Sequence, residues 1–320
     1  MPVLPQLQPL VEAMATLPPD LFAELPMTER RALIHSGMGS GELAEPVPAS
    51  VSVHDVEIPV EFPAPGRIRL RVYTPAGPVP EGGRPAHLFL HGGAWWLGTV
   101  EHFDPGCGNL AALADCVVVS VDYRLAPEFP YPVALNDAIA AWSWLREHAT
   151  ELAVDPARMS IGGGSAGGNL AAAACLVLRD RGLPLPVAQV LIVPATDLRP
   201  DVEYASAKEA ESGYLMPRAV LEESVVLYLG KDGDPTDPYV SPLLAETLAG
   251  LPPALVMTCE YDPVRDAGEA YARALREAGV PTTSRRWSGF VHNAHVYTAL
   301  LPEARDFRAA VVDFLKEHHA

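Results

Sequence analysis

Cysteine is scarce in this chain. Its four residues, Cys107, Cys116, Cys175 and Cys259, stand apart with no CxxC pair and no Cys/His cluster. That spacing argues against a disulfide scaffold and against a zinc site, and a reducing cytoplasm is the simplest expected home. No apolar run reaches the roughly 18 residues of a membrane span. The opening stretch, Met1 to Asp20, lacks a basic leader followed by an apolar run, so no secretion signal is expected. Basic charge is also in short supply: 23 Lys and Arg face 40 Asp and Glu, for a net charge of −17. A field of that sign repels phosphate backbones and anionic lipid surfaces. Nucleic acid and membrane are therefore not expected as partners, and neutral or cationic small molecules are favoured.

Apolar residues, by contrast, make up 49% of the 320 positions, enough for one large α/β domain or two small ones. Residues Leu7 to Met14 and Thr28 to His35 carry helical periodicity, interrupted by Leu17-Pro18-Pro19. From Val51 the texture changes to strands: Val51 to Val60 and Arg67 to Tyr73 alternate, and Ala86 to Leu90 is a compact apolar run. Strand and helix patterns then take turns: strands at Cys116–Val121, Met159–Gly162 and Val187–Val193, helices at Val133–His148 and Gly167–Arg181. Strands at Ala254–Thr258 and Thr282–Trp287 follow, with helices at Ala267–Ala278 and Ala304–His318. This order implies a mostly parallel sheet of about eight strands with both faces covered. Between Asp197 and Pro238 the alternation gives way to a charged, helix-prone insertion, Ala205–Glu211 and Arg218–Leu229, ending in the turn-rich Lys231 to Pro235. No internal repeat is visible, and most of the 33 prolines fall at element ends.

Residues Gly163-Gly164-Ser165-Ala166-Gly167 place a G-x-S-x-G pattern between an expected strand and an expected helix. A sharp strand-to-helix turn strains the backbone at the serine, and the residues two before and two after must lack a Cβ to avoid collision. Gly163 and Gly167 meet that need. The bland alternative is a glycine-rich turn that binds phosphate at a helix N-terminus, but no lysine follows the glycines. Upstream, His91-Gly92-Gly93-Ala94-Trp95-Trp96 follows another strand. The backbone N–H groups of Gly92 and Gly93, with that of Ala166, can receive charge developing on a carbonyl oxygen. Read alone, this segment is equally a plain turn with a structural His91.

Taken in order, His91-Gly92-Gly93-Ala94, Asp122 to Glu128 (DYRLAPE), Gly163 to Gly168 (GGSAGG), Asp262-Pro263-Val264-Arg265-Asp266 and Gly289-Phe290-Val291-His292 resemble the hormone-sensitive-lipase-like family of bacterial esterases. The resemblance implies an α/β-hydrolase fold whose catalytic core spans about 51–197 and 239–320. It also implies a helical cap built from about 1–50 and about 198–238, and cleavage of small carboxylic esters with short to medium acyl chains. It implies no cofactor, and family members often pair as homodimers. Two positions depart from the family pattern: Gly164 stands where an acid is common, and Ala94 replaces the third glycine of the oxyanion turn.

The resemblance assigns Ser165 as nucleophile, Asp262 as the orienting acid and His292 as the base, in the chain order this fold uses. Among rivals, Asp266 is expected to cap the following helix, Asp197 follows an earlier strand, and His295 is expected to pack at the start of the last helices. Trp95, Trp96, Tyr214 and Leu215 are candidates to line the substrate pocket, with core packing the equal alternative. Arg124 and Glu128 are expected to tie loops together beneath the site. Acyl transfer alone does not choose between ester, lactone and amide. A non-catalytic small-molecule receptor is the reading from another class, and the presence of both Ser165 and His292 speaks against it.

Overall fold

Where apolar and polar residues alternate, the chain forms strands with one wet face. In the computed structural model, which describes residues 2–16, 24–37, 43–210 and 216–320, β1 (Val51–Val60) and β2 (Gly66–Pro75) pair antiparallel from Val51 opposite Pro75 to Val60 opposite Gly66. The continuous apolar runs give strands covered on both faces. These are β3 (Arg84–Leu90), β4 (Val117–Asp122), β5 (Val154–Gly164), β6 (Gln189–Ile192) and β7 (Ala254–Tyr261). With β8 (Thr282–Val291) they complete an eight-stranded sheet in the order β1-β2-β4-β3-β5-β6-β7-β8, parallel from β4 to β8.

Helices α3 (Val100–Ala114) and α9 (Pro302–His318) cover one face. On the other lie α4 (Val133–Glu147), α5 (Ala166–Asp180) and α8 (Arg265–Glu277). The order matters for function. After β3 the chain moves outward to β4 and then returns past β3 to β5, so the carboxyl ends of β3 and β5 flank a topological switch point, where open α/β sheets bind ligands.

One element escapes the sequence pattern. Helix α3 carries Pro105, Gly106 and Gly108, which break the helical signal, yet tertiary contacts hold it. A Cβ on Gly108 would lie 2.6 Å from a methyl of Val47. Asn109 Nδ2 donates to the carbonyls of Glu45, Pro46 and Pro105.

The segments outside the sheet are α1 (Gln8–Ala15), α2 (Met27–Gly37), α6 (Ala205–Glu209) and α7 (Arg218–Leu229). Arg30 of α2 makes a two-pronged pair with Glu223 of α7 at 2.5 and 2.6 Å, and its guanidinium lies over the Trp96 ring. Arg31 donates to Glu128 and to the carbonyls of Trp96 and Ala126. Glu128 thus binds the N-terminal segment. Arg124 instead grips the buried Asp137 of α4 and the carbonyl of Ala64. Among the described residues no helix is long and apolar enough to cross a membrane.

Candidate active site

The strand-to-helix turn after β5 forces Ser165 to φ 55° and ψ −114°, a strained conformation for a residue with a side chain. Its two flanking glycines are obligatory on contact grounds. A Cβ on Gly163 would sit 2.3 Å from the Leu90 carbonyl oxygen, and one on Gly167 would sit 1.9 Å from the same atom. The end of β3 therefore presses directly on the turn. Ser165 N–H donates to Ile192 O at 2.8 Å, and Asn169 N–H donates to Ser165 O at 3.0 Å. Asn169 Nδ2 binds the carbonyls of Ala195 and Val240, a brace that the sequence did not single out.

Beside the serine, Gly92 approaches so closely that an added Cβ would lie 3.1 Å from Gly164 O and 3.7 Å from Ser165 Cβ. Gly93 adopts φ +124° with Leu97 O 2.1 Å from its would-be Cβ, so this turn also requires glycine. The N–H groups of Gly92, Gly93 and Ala166 have no acceptor among the described residues. Gly92, by its contact with Ser165 Cβ, and Ala166, by its place in the chain, stand next to the serine at the switch point. Beneath them the His91 ring stacks between Tyr123, at 4.2 Å, and Phe103, at 5.5 Å. His91 Nδ1 donates to Gly92 O at 2.7 Å, and Tyr123 Oη donates to His91 O at 2.8 Å. Burial holds the His91 imidazole neutral, with its pKa pushed down to about 4.

The loops after β7 and β8 bring the other two groups. Ser165 Oγ lies 2.9 Å from His292 Nε2, and His292 Nδ1 lies 2.7 Å from Asp262 Oδ2. The carboxylate accepts, so Nδ1 carries the proton and Nε2 is left as acceptor for the serine hydroxyl. Asp262 Oδ1 accepts from Val264 N–H at 3.0 Å, which fixes the carboxylate plane. Exposure falls along this hydrogen-bonded line from 7% at Ser165 to 3% at His292 and 1% at Asp262. Solvent reaches the hydroxyl end first.

The rivals have other work. Asp197 binds Arg199 and Tyr204; burial pushes its carboxyl up, but those partners outweigh it and hold it below the ordinary range. Asp266 does not cap α8. Its oxygens accept from Ser206 N–H and Arg265 Nε, joining α6 to α8, because α6 lies across the start of α8 and offers a nearer donor. His295 stacks on Phe307 of α9 at 5.0 Å. Of the candidate pocket residues, Trp95 and Trp96 are each 1% exposed. Trp95 stacks on Tyr228 at 4.5 Å, and Trp96 Nε1 donates to Ser224 Oγ at 3.0 Å; both clamp α7 to the core. Tyr214 and Leu215 lie outside the described residues.

A second Ser–His contact exists, with Ser160 Oγ 2.8 Å from both His87 Nδ1 and His319 Nε2. Ser160 and His87 sit inside the sheet at 0% and 1% exposure, and among the described residues no carboxylate bonds to either histidine. This cluster pins the C-terminus and offers no path to a substrate. Among the described residues no cluster of three His, Cys, Asp or Glu side chains is arranged to hold a metal.

A strained serine at the end of a central parallel strand, with a carboxylate and then an imidazole brought in chain order from the loops after β7 and β8, defines an α/β hydrolase. Comparison with known proteins agrees. The family described as alpha/beta hydrolase fold matches residues 87–296, and the chain belongs to it, in the branch of hormone-sensitive-lipase-like carboxylic ester hydrolases. It is 43% identical to the carboxylic ester hydrolase LipN of Mycobacterium tuberculosis over 76% of this chain, but the match spans only 64% of that protein, just under two thirds. It is 41% identical to an arylesterase of Saccharolobus solfataricus over 76% of this chain and 74% of the relative. Among solved structures, the hyperthermophilic esterase of Pyrobaculum calidifontis superposes with a TM-score of 0.89 at 35% identity, covering 99% of both chains.

Proposed function

We propose that this protein hydrolyses small carboxylic esters with short to medium acyl chains through an acyl-enzyme on Ser165. The observation that carries this reading is the unbroken hydrogen-bonded line from Ser165 through His292 to Asp262, set at the strained turn. Ser165 Oγ attacks the ester carbonyl while His292 Nε2 takes its proton. Asp262 holds the Nδ1–H tautomer and stabilises the imidazolium. The oxyanion is received by the N–H groups of Gly92, Gly93 and Ala166. Collapse of the tetrahedral intermediate breaks the bond to the alcohol oxygen, and His292 returns its proton to that leaving group. Water then repeats the sequence to free the acid and Ser165. Loss of a single oxyanion donor in such a site costs about 100- to 1,000-fold in kcat.

The segments about 1–50 and about 198–238 serve in this reading as a cap, supported by the Arg30–Glu223 pair and by Trp95 and Trp96 against α7. The names of the relatives supply the substrate class. The test is hydrolysis of p-nitrophenyl esters from acetate to palmitate by the wild type and Ser165→Ala in parallel. Turnover of short chains that vanishes in the variant is expected. An inert wild type, or a variant that keeps its rate, overturns the proposal.

A further inference from the structure

A cavity of about 100 Å³ lies against the switch point, large enough for a few heavy atoms. Gly92 and Gly164, the backbone neighbours of the nucleophile, form one wall, and Phe103, Ile192 and Phe307 make much of the rest apolar. Several polar side chains also border it, and most are already committed. His102 Nδ1 pairs with Thr99 Oγ1 at 3.0 Å, Thr298 Oγ1 accepts from Glu45 N–H at 3.0 Å, and Arg308 donates to Glu45 at 2.5 Å. Arg308 Nε is left buried without a partner among the described residues, but the side chain that stands nearest the nucleophile's turn is His295. Its Nδ1 is buried with no partner among the described residues, and its Nε2 faces the space that Gly164 leaves open, 4.0 Å from where a Cβ would be.

Burial, reinforced by nearby His292, pushes the His295 imidazole down to about 3, so the ring is neutral and one nitrogen carries a proton. A buried donor without an acceptor is rarer in native proteins than an under-used acceptor. The proton therefore sits on Nε2, and the end of the cavity beside Gly164 presents a hydrogen-bond donor in a largely apolar wall. That is how a binding pocket fixes orientation and selects a ligand. Gly164 is what keeps the donor free, because nothing else lies within 4 Å of its absent side chain.

We propose that His295 is a specificity-determining residue whose Nε2–H donates to an acceptor oxygen on a short substituent of the ester, seated in this cavity beside the scissile carbonyl. The inference rests on the ester-hydrolase reading of Ser165. It makes the favoured substrates esters that carry an ether, hydroxyl or carbonyl oxygen a few bonds from the reacting centre.

Two pairs of esters, each pair matched in shape, test it. In the acyl arm p-nitrophenyl methoxyacetate is set against p-nitrophenyl butyrate, and in the alcohol arm 2-methoxyethyl acetate against butyl acetate. The readout is the ratio of kcat/KM, ether over hydrocarbon, in wild type divided by the same ratio in His295→Phe and in His295→Met. Intrinsic reactivity cancels in that quotient. One hydrogen bond predicts a quotient of about 5 to 10 in one arm, and the arm that responds identifies which end of the ester enters the cavity. Gly164→Asp, which places a carboxylate against Nε2, is expected to lower the same ratio. Ratios within twofold of wild type in both arms, in whichever His295 variant folds, overturn the proposal. Ser165→Ala is assayed alongside: if it retains turnover, the nucleophile assignment has failed and not the role of His295.

Discussion

At the scale of single residues, the strain at Ser165 is held by neighbours that tolerate no side chain. Leu90 O would stand 1.9 Å from a Cβ on Gly167, far inside van der Waals contact, so Gly167→Ala must move β3 or the serine. Loss of most esterase activity is expected, together with a lowered melting temperature. The two acids near α8 separate just as sharply. Asp262→Asn removes the partner that fixes the His292 tautomer, and kcat should fall by about 10⁴-fold. Asp266→Asn touches only the Ser206 and Arg265 contacts and should leave kcat within a few-fold; steady-state kinetics on p-nitrophenyl acetate distinguishes the two. Gly163, Ser165, Gly167, Gly92 and Gly93 were readable in the sequence because the turn imposes its requirement locally. The role of Asp266 was not, since its partner Ser206 is 60 residues away.

At the scale of elements, nearly every strand and helix announced itself by its period, and the insertion helices were legible at Arg218–Leu229. Helix α3 was not. Its Pro105, Gly106 and Gly108 oppose helix formation locally, and the contacts that offset this, Gly108 against Val47 and Asn109 to the carbonyls of Glu45 and Pro46, reach to a distant segment. The tryptophans after the Gly92-Gly93 turn show the same limit. Their size marked them as important, but only the packing of α7 places them at 1% exposure rather than on an open pocket wall. Trp95→Ala should therefore destabilise the protein by about 3–5 kcal/mol, measured by chemical denaturation. A variant that keeps wild-type stability would mean that α7 does not lean on the core through this ring.

At the scale of the whole molecule, several buried histidines make stability depend on acid. Burial holds His87 and His295 at about 3 and His91 at about 4, against an ordinary value near 6.5. Below about pH 6.5 the unfolded chain gains protons that the folded chain refuses, so stability falls as pH drops, and it is complete only above that value. Carboxylates held low by arginines, such as Asp197, add a loss in the same direction at lower pH. The effect of one histidine can be isolated: between pH 7 and pH 5, His87→Asn should lose less stability than wild type, by on the order of 2 kcal/mol. Equal losses would show that His87 titrates normally in the fold. The strongly negative net charge of −17 sets only the long-range field around this chemistry.

Ser160 also touches histidine, so labelling the protein with an alkyl fluorophosphonate and locating the adduct by mass spectrometry of peptides tests whether Ser165 is the one nucleophile. Oγ displaces fluoride at phosphorus only where a serine is both activated and reachable. The expected result is one equivalent of phosphonate on Ser165, lost in His292→Ala. Label on Ser160 or elsewhere, or no label on a preparation that turns over esters, would contradict it.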